Sequence, residues 1–144
     1  MFGDDKTCQN NKGLIYIKRH GLSRNGRLLE NEEDLCLILT KNGFIAIDPA
    51  SLTLKEQLEL FSCAQAVAGV HGSGFVNMLS MNPGSHIIEL VGDTYRPVHD
   101  MILAEQLKIR YNEIEIKAIG NQFNSNYVCN ENDVAKSIFE LVSK

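Results

Sequence analysis

The sequence has no C-x-x-C pair, no apolar run long enough to span a bilayer, and no excess of basic charge. Each absence closes off a class of protein. Its four cysteines, at 8, 36, 63 and 129, stand apart from one another and from any histidine at ligand spacing. That excludes the common zinc frameworks and a disulfide-dense secreted scaffold. Cys36 and Cys63 lie among apolar residues of expected helices, where a free cysteine behaves as a small hydrophobe. All four are expected to be reduced, which points to the cytoplasm. The opening Met-Phe-Gly-Asp-Asp-Lys lacks an apolar signal core, and no transmembrane segment is expected. Fourteen Lys and Arg face 18 Asp and Glu, a net charge of −4, so a nucleic-acid partner is not expected. Internal repeats and low-complexity tracts are also missing.

What remains is an ordinary globular composition, 44% hydrophobic and 22% charged over 144 residues, the size of one domain. Residues 1–12 are polar and unpatterned and form a loose lead-in; residues 13–144 form the domain. Leu14-Ile15-Tyr16-Ile17 is a first strand. After a polar loop, Asn31 is placed to cap a helix whose first turn carries Glu32, Glu33 and Asp34. That helix turns Leu35, Ile38 and Leu39 inward and stops at Asn42-Gly43. Residues 44–47 make a second, buried strand. Thr53-x-x-Glu56 has the capping-box form and opens a helix carrying Leu54, Leu58 and Phe61. Residues 66–70 are apolar throughout, as a central parallel strand requires. A helix from Ser73 through Leu79 follows, then a turn at Asn82-Pro83-Gly84 and a fourth strand, 86–91. A helix over 95–108 is expected to turn Val98, Ile102, Leu103 and Leu107 inward. Residues 109–116 make a last strand, 120–128 a loop, and Asn130-x-x-Asp133 opens a terminal helix. Strands alternating with helices give an α/β, Rossmann-like parallel sheet with helices on both faces.

The informative stretch runs from Ala66 to Glu89. A buried strand enters the turn His71-Gly72-Ser73-Gly74, which lies where open α/β sheets bind ligands, beyond the carboxyl end of a strand. Gly72 and Gly74 let backbone approach a ligand, and the amides around Ser73 to Asn77 offer an anion site. His71 is placed to donate to a phosphate. A nucleotide pyrophosphate is the natural ligand, although tight packing alone also produces such turns. The third glycine of the dinucleotide fingerprint is missing, which argues against NAD or FAD. The spacing around Ser73 is not that of a hydrolase elbow. Glu89, at the end of the fourth strand, is placed to accept from ribose hydroxyls. Lys12, Lys18, Arg19, Arg24 and Arg27 form a local basic rim, and Arg19, directly after a strand, is the best placed to grip phosphate. The histidines at 20, 86 and 99 have no ligand spacing, so no metal is expected. The Asp4-Asp5 pair and the Glu32–Asp34 run read as tail and helix start rather than acid catalysts.

Ala64-x-Ala66-Val67-x-Gly69-Val70-His71-Gly72-Ser73-Gly74-Phe75-x-Asn77-Met78-Leu79, with Pro83-Gly84-Ser85 and Ile87-Ile88-Glu89-Leu90 behind it, resembles glycosyltransferase family 61. Tyr16-Ile17-Lys18-Arg19, Arg27 and Asn31-Glu32 look like the family's Tyr-Ile-Ser-Arg, Arg and Asn-Glu elements. Pro49, Leu52, Glu56-Gln57, Leu60-Phe61 and Ala64 fit the segment between. The likeness covers roughly residues 14–91, with Ser73 in place of the usual alanine and Lys18 in place of serine. It implies sugar transfer from a nucleotide-sugar donor, generally with inversion, by an enzyme similar to the two-Rossmann-domain (GT-B) type. This chain then corresponds to the donor-binding half, with Arg19, Arg27, His71, Gly72, Ser73, Gly74, Asn77 and Glu89 binding the donor and no metal cofactor. The catalytic base is not identifiable. An N-terminal acceptor domain, a partner subunit or a homodimer would complete the enzyme.

The expected function is therefore transfer of a sugar, from a UDP donor, to a glycan or protein-linked acceptor in polysaccharide or glycoprotein biosynthesis. The alternative is a catalytically silent nucleotide-binding module that needs a partner domain. A receiver-like signalling domain is disfavoured, because Asp48, followed by Pro49, stands without the acidic cluster such a site requires.

Overall fold

The computed structural model describes residues 13–19, 26–122 and 124–144. The expected lead-in, with Lys12, and the loop residues His20 and Arg24 lie outside them. Six strands form one sheet: β1 (Leu14–Ile17), β2 (Ile45–Ile47), β3 (Ala66–Val70), β4 (His86–Gly92), β5 (Arg110–Ala118) and β6 (Tyr127–Val128). Their spatial order is β2-β1-β3-β4-β5-β6. The first five run parallel, and β6 closes the edge antiparallel to β5. Among the described residues the α-helices are α1 (Glu32–Lys41), α2 (Leu54–Ser62), α3 (His99–Gln106) and α4 (Glu131–Val142).

Side-chain alternation on the strands sorts the core into two layers. Tyr16, Ala68, Val70, Ile88 and Leu90 face α1 and α4, where Leu35, Leu39, Val134 and Ile138 meet them. Ile15, Ile17, Val67 and Ile87 face the other way, against Phe61 of α2, Ala104 of α3, and Phe75 and Met78 between them. Each fully buried aliphatic side chain of this kind contributes about 1.5–3 kcal/mol. The α/β architecture with helices on both faces is therefore as expected. The chain order reverses between β1 and β3, the switch point at which doubly wound sheets bind ligands.

Several local expectations change. β2 is an edge strand with Ile45 partly exposed rather than a buried one. The capping box at Thr53 and Glu56 is present in both directions, yet of the apolar series on α2 only Phe61 is buried, while Leu54 and Leu58 face solvent. The segment after His71 is a 3₁₀ helix, Ser73–Ser80, not an α-helix. Phe75 and Met78 in it and Met81 directly after it are buried, a spacing of three that matches three residues per turn. α3 is shorter than expected: Leu103 and Leu107 pack on the core as expected, but Asp100 and Ala104 are buried while Val98 and Ile102 are exposed. Residues expected as loop supply β6, whose Tyr127 is buried. The Asn31 side chain does not cap α1; it bonds the Cys129 carbonyl and Glu131 and so ties α1 to the start of α4.

The cysteines also need correction. Cys36 and Cys129 are free thiols, but Cys63 is disulfide-bonded, with its partner outside the described residues. The expectation that all four are reduced is overturned, and with it the argument for a reducing compartment.

Candidate functional site

At the switch point, the ends of β1 and β3 open into a cleft of about 470 Å³. Lys18 and Arg19 line it from the end of β1, Asp48, Pro49 and Ala50 from the end of β2, and Gln57 from α2. The far wall is Gly72, Ser73, Gly74 and Asn77. Five of the eight expected site residues thus share one cavity, although Arg27, His71 and Glu89 are not part of its lining.

Arg19 is fixed from several sides. Its main-chain N–H donates to the Glu32 carboxylate at 3.3–3.4 Å, and Glu32 also accepts from the Tyr16 hydroxyl at 3.0 Å. The Arg19 guanidinium donates to the His71 carbonyl at 2.9 Å and, more weakly, to the Arg27 carbonyl at 3.4 Å. Burial first, and then the neighbouring Arg27 cation, lower its pKa. Two cations held close together in a half-buried site create a field that favours an anion. Arg27 itself sits at φ +59, the left-handed region that costs a non-glycine residue about 1–2 kcal/mol. Its guanidinium lies 5.1 Å over the Tyr95 ring, a cation–π geometry, with Nε buried and without a hydrogen-bond partner.

The glycines divide in role. Gly72 is extended, at φ 172, and a Cβ there would stand 3.5 Å from the Arg19 guanidinium, inside the cleft. At Gly74 a Cβ would meet Ile17 Cγ2 at 2.9 Å. Close packing of the turn on β1, not ligand approach, explains Gly74. The Asn77 amide donates to the Gly74 carbonyl at 3.0 Å, so this expected ligand residue also braces the turn.

Glu89 differs most from expectation. It lies in the middle of β4, not at its end, and is fully buried. Gly69 pairs with Glu89 across β3 and β4, so His71, two residues beyond Gly69, points to the same face. There His71 Nδ1 meets Glu89 Oε1, and the Tyr111 hydroxyl donates to Glu89 Oε2. Asp100 Oδ2, from α3, lies 3.3 Å from the same Nδ1. Both Glu89 oxygens are therefore occupied within the protein. The His71 main-chain carbonyl, not its imidazole, touches the cleft residue Arg19. Burial works against a charge on His71, but Asp100 and Glu89 outweigh it and raise its pKa to about 9. Burial pushes the Glu89 carboxyl up, and beyond burial the His71 contact takes Asp100 down. His99 completes the group, its ring edge-on to His71 at 5.1 Å. His71, His99 and Asp100 present possible metal-ligand atoms all within 4.8 Å of one another. Asp100 was missed in the sequence because α3 was read with its apolar side inward.

The cleft, though not Glu89, His99, Asp100 or Tyr111, lies inside a stretch that known proteins share. Residues 5–88 match the family profile described as Glycosyltransferase 61, more than half of the chain and all of the cleft. The chain belongs to glycosyltransferase family 61. A rice protein, "Beta-1,2-xylosyltransferase RCN11" of Oryza sativa subsp. japonica, is 28% identical over 81 residues, covering 56% of this chain and 14% of that protein. A "Beta-1,2-xylosyltransferase" of Arabidopsis thaliana is 24% identical over 110 residues, covering 68% of this chain and 21% of that protein. The chain therefore spans a seventh to a fifth of the length of these relatives. Among the described residues no helix is long and apolar enough to cross a membrane.

Proposed function

We propose that this chain is the donor-binding domain of a glycosyltransferase, and that the cleft between β1 and β3 holds the diphosphate of a UDP-sugar. The observation that carries the reading is Arg19, anchored beside Arg27 and lining a cavity at the switch point within the stretch matched to the family. In transfer, the C1–O bond to the diphosphate breaks as an acceptor hydroxyl attacks. Arg19 and Lys18 would stabilise the charge growing on the leaving oxygens, the role for which preorganised cations are most effective. Gly72 leaves room beside the guanidinium. The acceptor, a glycan or protein-linked sugar in polysaccharide or glycoprotein synthesis, and the catalytic base would come from an N-terminal acceptor domain, a partner subunit or a second copy. The relatives' names make a xylosyl donor the first to try.

Calorimetric titration of the chain with UDP tests the proposal. Binding that is lost in Arg19→Ala and weakened in Lys18→Ala supports it. No heat at about 1 mM, a binding free energy weaker than about 4 kcal/mol, overturns the claim that this domain alone holds the donor.

A further inference from the structure

Behind the cleft, on the α3 side of the sheet, lies a second cluster of polar groups that the proposed donor site does not use. It consists of His71, His99 and Asp100, with Glu89 and Tyr111 beneath. None of these residues lines the β1/β3 cleft.

Two features of the cluster favour a cation. The first is orientation. His71 is held through Nδ1 by Glu89, which is itself held by Tyr111, and among the described residues no hydrogen bond reaches Nε2. A metal-bound histidine commonly has its second nitrogen fixed by a carboxylate in this way, the carboxylate being supported in turn. The second is an unsatisfied group. Asp100 is buried, only 6% exposed, and its Oδ2 has no hydrogen-bond partner. Leaving such an atom unmet is costly, and it lies 3.3 Å from His71 Nδ1, the nitrogen that Glu89 already engages.

We propose that His71, His99 and Asp100 bind a divalent transition-metal ion, with Glu89 and Tyr111 orienting His71 from behind. Two imidazoles and a carboxylate suit Zn²⁺, Co²⁺ or Ni²⁺ rather than Ca²⁺ or Mg²⁺. Ligand atoms within 4.8 Å have only to close modestly around an ion with bonds of about 2.0–2.2 Å. His99, whose side chain is 66% exposed, is free of the tight packing that would prevent this. Its exposure also leaves a route in from solvent and an open coordination position for water or a ligand oxygen. The inference does not depend on nucleotide binding.

The test is calorimetry of the chelator-treated chain with ZnCl₂ and CoCl₂ in the absence of nucleotide, with visible absorption of the Co²⁺ complex as an independent readout. One equivalent is expected to bind, with nitrogen–oxygen coordination in the Co²⁺ spectrum. His99→Ala, at a side chain 66% exposed, should remove the bound equivalent, as should Asp100→Asn. Glu89→Gln should weaken it by about 10- to 100-fold. Failure to bind either metal at about 1 mM overturns the proposal, as does an equivalent that survives in the His99 variant. A sulfur-to-cobalt charge-transfer band would place the metal on a cysteine and overturn it as well.

Discussion

The Tyr16 hydroxyl donates to Glu32 at 3.0 Å across the crossover from β1 to α1, and both side chains are buried. Glu32 also accepts from the main-chain N–H of Arg19. Two elements of the family resemblance, the Tyr-Ile-x-Arg strand end and the glutamate of the Asn-Glu pair, are therefore one structural unit that sets where β1 delivers Arg19. Tyr16→Phe leaves a buried carboxylate short of a donor and should cost about 1–3 kcal/mol. Chemical denaturation monitored by circular dichroism checks this, and a stability unchanged within error would mean that solvent reaches Glu32.

Glu32 also makes a pH prediction. Burial, its largest influence, raises its pKa above the ordinary value of 4.5. Between 4.5 and the raised folded value, the folded state holds a proton that the unfolded state has released. Stability from this group therefore falls as pH rises through that window. Glu32→Gln should flatten that part of the stability–pH curve. A curve of identical shape in the variant would show that Glu32 is solvated in the folded state.

His86 acts in the opposite direction. Burial lowers its pKa from 6.5, outweighing the hydrogen bond between Nε2 and Asn112 at 2.8 Å. Between the lowered folded value and 6.5, the unfolded state binds more protons, so acidification through this window removes stability. His86→Gln should reduce that acid loss. NMR titration of the imidazole checks the cause directly, and a His86 pKa at or above 6.5 would refute it.

Much of the fold was legible because period and punctuation agreed. The 66–70 strand, the Thr53–Glu56 box and the Asn42-Gly43 stop each rest on local chemistry that tertiary contacts did not overrule. α3 was misread because its buried face is built on Asp100 and Ala104, and a hydrophobicity pattern cannot nominate an aspartate that faces an imidazole. The 3₁₀ helix left a readable trace in the three-residue spacing of Phe75, Met78 and Met81, which an α-helical template passes over. Glu89, expected to face ribose hydroxyls, is instead buried against His71 and Tyr111. Its burial depends on the β3–β4 register, which places it beside Gly69 and two residues short of His71.

Thiol chemistry separates the cysteines. Burial pushes the Cys36 thiol up to about 12 and the Cys129 thiol to about 11, and the thiolate is the reactive form. Alkylation of the folded chain near neutral pH should leave both nearly untouched. In denaturant without reductant, mass spectrometry should find both labelled and Cys63 unlabelled. Labelling of Cys63 before reduction would show that its disulfide is absent and restore the case for a reducing compartment.

Gly72 and Gly74, two residues apart in one turn, should respond in opposite ways to the same change. Gly74→Ala drives a methyl to 2.9 Å from Ile17 Cγ2, an overpacking that costs about 1–3 kcal/mol. Gly72→Ala meets only ordinary contacts from 3.5 Å outward, in extended backbone. Its effect on folding should stay within about 1 kcal/mol of zero, on the stabilising side if the unfolded chain is stiffened. The new methyl, however, covers the Arg19 guanidinium inside the cleft. If the diphosphate lies there, Gly72→Ala weakens UDP binding about tenfold or more, 1.4 kcal/mol in affinity, in a chain as stable as the parent. Denaturation and calorimetry on both variants decide it, and a Gly72→Ala chain that binds UDP normally would move the diphosphate away from Arg19.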